Sequence, residues 1–381
     1  MSTLDARLRA IRAVARDAAG DLRARALAVD AEPHAMEPHL DSPAFALVRR
    51  SETPPDYLAT EPGGPTLPAR SSCLENVTGM LELARGDMGV LLSCPSPGLA
   101  GVFVELLGNE EQRDRFHRRL ADGRTWSFFA MSEERAGSDA TAMETRLVPD
   151  GSGGWLLHGA KRYIGQGARG GVGVVFARTG PSPLSIRAAL VELPAPGWHA
   201  EPLEMVGLRG ACVSELRFDG LPVAGDMLLG EHLPATRRGV WAATRTFHRM
   251  RVRVAAAAVG TASAMAEYVA EHRKTAPELA GMRARVAAAE RLVVEAAARV
   301  DRAPERGYPS NVVKLGATRT AVRVAHWAGR ALGPAGLLEH PLLEKWTRDV
   351  RAFEFMEGTG NVQRLHIARG HRNGDADERQ R

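Results

Sequence analysis

The residue pattern changes period twice, and that limits the possible folds more than any single motif does. From residue 125 to 232 the chain runs in short apolar segments, "WSFFAM", "WLLHGAKRYI", "GVGVVFAR", "RAALVEL" and "VSELRFDG", separated by Gly, Pro and Asp clusters. Ser214, Leu216 and Phe218 alternate with Val213, Glu215 and Arg217, the two-residue period of a strand with one buried face. No helical segment separates these runs, so the spacing predicts an antiparallel arrangement rather than a βαβ sheet. On both sides the period is helical. "SSCLENVTGMLELARGD" places Leu74, Val77, Met80 and Leu81 on one face with serines to cap its start, and "NEEQRDRFHRRLADG" opens on a capping asparagine and closes on glycine. Beyond residue 240, Val252, Ala255, Val259, Ala262 and Val269 recur at helical spacing. So do Leu279, Met282, Val286, Ala289, Val293, Ala297 and Val300.

The expected fold class is therefore α+β. It comprises an N-terminal helical domain (residues 1–124), a central antiparallel β-barrel or sandwich domain (125–232) and a C-terminal helical bundle (233–381). A chain of 381 residues is long enough for two or three such units.

Several function classes are excluded as expectations. No apolar run approaches the roughly 18 residues of a membrane span, and the N-terminus reads as an amphipathic helix rather than a signal peptide. The net charge is +5, but the cations are nearly all arginine and are interspersed with acids. Lysine occurs only at 161, 274, 314 and 345. Without a basic block or interleaved aromatics, nucleic acid is not the expected partner. Cys73, Cys94 and Cys212 show no metal or redox spacing, so the expectation is a cytoplasmic protein with reduced thiols and no metal. The match "GQGARG" (165–170) to a dinucleotide fingerprint fails because a strand-like run, not a helix, follows it.

One acidic residue is placed unusually. In "FEFMEGTGNVQRLHIARG" (353–370), Glu357 stands beside a glycine at the seam between Phe353 and Phe355 on one side and Val362, Leu365 and Ile367 on the other. By itself this could be a solvated helix-start carboxylate that interacts with the helix dipole.

Four segments give it a context. "MSEERAGSDATAMETRL" (131–147), "GAKRYIG" (159–165), "GLRGACVSELRFDGLPVAGDMLLGE" (207–231) and "KWTRDVRAFEFMEGTGNVQRLHIAR" resemble segments of the acyl-CoA dehydrogenase family. The resemblance runs from about residue 70 to 370. It implies FAD between the β domain and the C-terminal bundle, and an acyl thioester that loses an α-proton to a base and a β-hydride to the flavin. Glu357 would be the base, its pKa raised by apolar neighbours, and its backbone N–H would polarise the thioester carbonyl. Met250, before Arg251, stands where some members carry the base, and a methionine cannot serve. Ser138, Arg251 and Glu357 would line the substrate site. Met131, Ser132, Gly137, Ser138, Tyr163, Gly165, Gly358, Thr359 and Asn361 would contact the cofactor. The substrate would be an acyl-CoA or an acyl carrier protein, and an electron-transfer partner or oxygen would reoxidise the flavin.

The sequence departs from that pattern at identifiable places. Gly165 replaces a threonine, Tyr163 a tryptophan, and Glu134 and Arg135 a Pro-Gly pair. In "HRKTAPELAGM" (272–282) about three helical turns are missing, and only Arg273 and Thr275 remain of a segment that reaches a neighbouring subunit's FAD in a homodimer or homotetramer. Arg330 stands where a glutamine often touches the partner's cofactor. Three readings stay open: an FAD-dependent dehydrogenase of acyl thioesters, a related fold with non-redox or oxygenating chemistry, and a non-catalytic homologue without FAD.

Overall fold

The computed structural model describes residues 3–58, 66–68 and 71–375. The N-terminal part consists of helices α1 (Thr3–Ala31), α2 (Pro43–Glu52), α3 (Cys73–Leu83), α4 (Met88–Leu92), α5 (Gly98–Leu107) and α6 (Glu110–Leu120). The starts of α3 and α6 are fixed by reciprocal caps. Ser72 accepts from the Glu75 N–H while Glu75 accepts from the Ser72 N–H, and Asn109 and Gln112 do the same.

Strands β1 (Trp126–Ala130), β2 (Arg146–Pro149), β3 (Trp155–Ile164), β4 (Gly170–Arg178), β5 (Ile186–Glu192), β6 (Trp198–Pro202), β7 (Ser214–Val223) and β8 (Leu228–Leu229) follow. They form one sheet in the order β6-β7-β3-β2-β4-β5-β8, with β1 against β4. Most pairings are antiparallel, but β1 lies parallel to β4, and β2 meets β4 in parallel at Arg146 and Arg178, which corrects the all-antiparallel expectation. The β2–β3 hairpin lies between β1 and β4 in the chain and supplies the crossover that a parallel pair needs. Alternation within a strand records its buried face and not the direction of its neighbour, so this pairing could not be read from pattern. Ser214, Leu216 and Phe218 face inward from β7 as their period requires.

The C-terminal part holds α7 (Val240–His272), α8 (Leu279–Arg302), α9 (Tyr308–Ala331), α10 (Gly336–Glu339), α11 (Pro341–Asp349) and α12 (Gly360–Arg372). Its Ala-rich face lets α7 approach α3 closely. A Cβ on Gly260 would come within 2.4 Å of the Leu81 carbonyl oxygen.

Two cores result from three sequence textures. One runs continuously from Ile11 on α1 through α3 and α7 to Phe353, so the two helical parts share an interior. The other fills the β sheet and takes in Phe103 and Leu107 of α5 and Phe116 of α6. Helix α7 joins them, with Ala243 in the sheet core and Val252 onward in the helical one.

A buried charge network fastens the parts together. Lys345 on α11 donates to both Asp87 carboxylate oxygens (2.8 and 2.7 Å) and to Asp349 (2.6 Å). Asp87 also caps α4 by accepting from the Val90 N–H and accepts from the Trp346 indole. Asp349 accepts from the Leu208 N–H of the β domain at 2.6 Å. Burial opposes the Lys345 charge, but the two carboxylates outweigh it and raise its pKa.

Replacing Lys345 by Met would leave two buried carboxylates without a countercharge. The variant is expected to lose about 3–5 kcal/mol of stability, read as a lower urea midpoint. Arg118→Ala, which removes an exposed pair with Asp114, is expected to cost less than about 1 kcal/mol. Equal midpoints for the two variants would show that the network carries no special weight.

Candidate active site

After α11 the chain makes a short 3-10 turn over Ala352–Glu354 and a tight bend at 355–359, then enters α12. Two residues of the bend take the left-handed conformation, Glu357 at φ 54° and Gly358 at φ 96°. Gly358 tolerates that backbone. A glutamate there costs about 1–2 kcal/mol, so neighbours must hold it in place.

They do so through its carbonyls. The Arg251 Nε donates to the Glu357 carbonyl at 3.1 Å, and the Gln363 side-chain amide donates to the Glu357 and Gly358 carbonyls at 3.2 and 3.0 Å. Lys314, with none of its surface exposed, donates to the carbonyls of Glu354 and Gly358 at 2.8 and 2.6 Å. Burial lowers the Lys314 pKa to about 8, against the pull of Glu354 and Glu357.

The Glu357 side chain is left free of such ties. Among the described residues its carboxylate accepts no hydrogen bond. It is half-buried, and burial pushes its pKa up to about 7 although Arg251, Lys314 and Arg253 all pull it down. The sequence pattern put Phe353 and Phe355 beside it as apolar neighbours. The structure corrects this for Phe355, which is 71% exposed; Phe353 is the phenylalanine that packs inward, and Met356 packs partly buried against the same core. The cationic surroundings come from Arg251 and Arg253 on α7 and from Lys314 on α9.

The N–H groups at the start of α12 are met by other side chains. Glu354 accepts from the Gly360 N–H at 2.7 Å, and Thr359 caps α12 by accepting from Val362. The carboxylate at the helix start is Glu354. Nearby His366 on α12 has its pKa lowered by burial and by Arg251 and Arg369.

A second group of expected residues lies at the ends of β1 and β3. Met131 is buried and its carbonyl accepts from Lys161 at 3.0 Å; the Ser132 carbonyl accepts from the Arg162 N–H. Lys161, with none of its surface exposed, also reaches Glu133 at 2.8 Å. Glu133 in turn accepts from Glu144 and Thr145 and so anchors the loop that carries Gly137 and Ser138 at the surface. Tyr163 lies at the end of β3 with φ 64° and 61% of its surface exposed, and Gly165 is exposed beyond it.

Other expected residues are not drawn in. Arg273 and Thr275 follow the end of α7, about 30 Å along that helix from Arg251, and Arg273 there donates to the Ala331 carbonyl. Within this chain they cannot join the Glu357 site. Thr359 is committed to its cap, and Asn361 is exposed and accepts from Arg364. Lys314 and Gln363 were missed as holders of the bend. The available signal was the lysines themselves. In a chain whose cations are almost all arginine, Lys161, Lys314 and Lys345 are each at most 1% exposed.

Among the described residues no helix is long and apolar enough to cross a membrane, and no cluster of three or more metal-ligating side chains occurs. The middle-domain and C-terminal-domain models of the acyl-CoA dehydrogenases match residues 128–221 and 237–371. A probable acyl-CoA dehydrogenase of Mycobacterium tuberculosis is 30% identical over 331 residues, 82% of this chain and 83% of the relative. Butyryl-CoA dehydrogenase from Megasphaera elsdenii superposes with a TM-score of 0.82 at 23% identity, covering 97% of this chain and 98% of that one. A prolyl acyl carrier protein oxidase superposes with a TM-score of 0.78 at 22% identity, covering 97% and 99%.

Removing the Lys314 charge is expected to raise the Glu357 titration midpoint by about one unit. The check is the Glu357 side-chain carboxyl carbon resonance of Lys314→Met followed across pH. An unmoved midpoint would mean that the ammonium holds only the backbone.

Proposed function

We propose that this chain, which belongs to the acyl-CoA dehydrogenase family, dehydrogenates an acyl thioester with Glu357 as the base. The observation that carries the reading is the Glu357 carboxylate: half-buried, without a hydrogen-bond partner among the described residues, its backbone fixed from three sides. An α-proton next to a thioester is a weak acid, and a base with pKa near 7 is well matched to removing it at neutral pH. Arg251 and Lys314 keep their charges beside the carboxylate and limit its rise, so that a large ionised fraction remains. Their bonds to the Glu357 and Gly358 carbonyls fix the backbone from which the base projects, so no reorganisation is needed at the moment of reaction.

The residues at the ends of β1 and β3 fit a flavin. The exposed Tyr163 ring offers a flat aromatic face, and a Cβ on Gly165 would meet nothing closer than the Ala211 oxygen at 3.9 Å, which leaves bare backbone beside that ring. Met131, Ser132, Tyr163 and Gly165 would hold the ring system, and Gly137 and Ser138 the pyrophosphate end. When bound, FAD would supply the acceptor for the β-hydrogen, which leaves with its electron pair as hydride. Glu357 receives the α-proton, and the two broken C–H bonds leave a double bond between the α- and β-carbons. The acyl group would be carried on coenzyme A or on a carrier protein, with an electron-transfer partner or oxygen as the final acceptor.

Protein saturated with FAD is expected to show a bound-flavin visible spectrum that bleaches anaerobically with an acyl thioester. The Glu357→Gln variant is expected to keep the spectrum and lose bleaching rate by about 10²–10⁴. Full bleaching by that variant would remove Glu357 as the base, and a protein that ignores added FAD would remove the dehydrogenase reading altogether. Because only the ionised carboxylate accepts a proton, α-deuterium exchange of butyryl-pantetheine is expected to rise through about pH 7 and level above it. A flat profile from pH 5 to 9 would contradict that assignment.

A further inference from the structure

Between α1, α2, α3 and the middle of α7 lies a cavity of about 40 Å³. That is space for a group of about three or four heavy atoms, since one water needs about 10–15 Å³. Met80, Leu83 and Leu91 give it apolar walls, and Glu52, Asn76 and Arg253 make one side polar. Arg253 is two residues from Arg251 on α7, and its charge acts on the Glu357 carboxylate. The cavity wall and the base are thus linked through α7, where Arg253 lines the cavity two residues beyond the arginine that bonds the Glu357 carbonyl.

The polar side has unspent capacity of one kind. Both Glu52 oxygens are engaged, one with an Arg253 Nη at 2.6 Å and the other with the Ser96 hydroxyl at 2.7 Å and the Gly98 N–H at 3.1 Å. Arg253 uses a single N–H in that pair, and among the described residues its other donors have no partner. Among the described residues the Asn76 carboxamide has none either. An apolar chain end would leave these groups unsatisfied, at a cost. A carboxylate would meet a guanidinium already neutralised by Glu52, with Glu75 on the same wall. A neutral oxygen acceptor fits both conditions.

We propose that this cavity takes the far end of the acyl chain, and that Arg253 selects chains bearing a carbonyl or hydroxyl oxygen there. The inference rests on the reading of Glu357 as the base, because that assignment sets where the reacting carbons lie. Arg253 is a specificity residue in this scheme and takes no part in the bond changes.

The test is calorimetric binding to FAD-saturated Glu357→Gln protein, which separates recognition from turnover. The probes are the pantetheine thioesters of pentanoate, 4-oxopentanoate, hexanoate, 5-oxohexanoate and adipate. In at least one chain length the oxo chain is expected to bind about tenfold or more tighter than its plain counterpart. Adding Arg253→Leu is expected to bring the ratio within about twofold, and Arg253→Lys to restore part of it. A structural role alone would weaken both ligands together and leave the ratio unchanged. Glu52→Gln with Arg253→Met, which leaves no charge of the pair behind, must also lose the preference. Equal affinities for oxo and plain chains, a preference that survives Arg253→Leu, or tightest binding of adipyl-pantetheine would each overturn the proposal. Failure of every thioester to bind would instead bring down the acyl-thioester reading, and this inference with it.

Discussion

The Lys345 ammonium, shared between Asp87 and Asp349, is the interaction on which the arrangement of the molecule most depends. One carboxylate belongs to the N-terminal helices, the other to α11, and through the Leu208 N–H the second grips the β domain. Three parts with different backbone chemistry thus meet at one buried cation. The surrounding packing leaves no slack: a Cβ on Gly207 would come within 2.6 Å of the Arg348 backbone. Because α11 leads through a short 3-10 turn into the bend that carries Glu357, the network also anchors the segment from which that carboxylate projects. Such networks are costly to desolvate, and their worth lies in fixing one geometry among several that hydrophobic burial alone would allow.

At the bend, two opposing demands act on the same residue. A useful base needs a raised pKa, which burial provides, and a backbone that does not move, which requires donors. The donors nearest to hand are cations, and cations lower the pKa. The structure separates the two effects in space. Lys314 and Arg251 spend their hydrogen bonds on the Glu357, Gly358 and Glu354 carbonyls and leave the carboxylate itself unbonded. Their charges reach it only through space, and burial still prevails. The left-handed backbone at Glu357 is sustained by the same bonds.

Arginine and lysine divide the work of the chain accordingly. Arginines lie mostly toward the surface in pairs with acids, as in Arg348 with Asp30 and Glu344. The three buried lysines each sit where a loop or a domain joint must be fixed: Lys161 at the loop after β1, Lys314 at the Glu357 bend, Lys345 between domains. A compact ammonium with three donors can satisfy carbonyls and carboxylates converging from different elements, which the planar guanidinium fork cannot do in so small a space.

Much of this was legible in the order of residues. The switch of period from helix to strand and back marked the α–β–α succession, because side-chain direction follows backbone geometry with fixed periods. The capping serine and asparagine marked where α3 and α6 begin, because those bonds are local. Glu357 stood out as an acid beside a glycine. What could not be read were relations between segments distant in sequence. They include the parallel pairing of β1 with β4, the merging of both helical parts into one core, the exposure of Phe355, and the three-sided hold on the bend by residues from α7, α9 and α12. The short, mostly exposed β2 and β6 also lacked the alternation that would have marked them. A sequence fixes which groups must be buried or bonded, through local geometry and hydropathy. Which group meets which is decided only when the whole interior is packed, because each pairing depends on the positions of all the others.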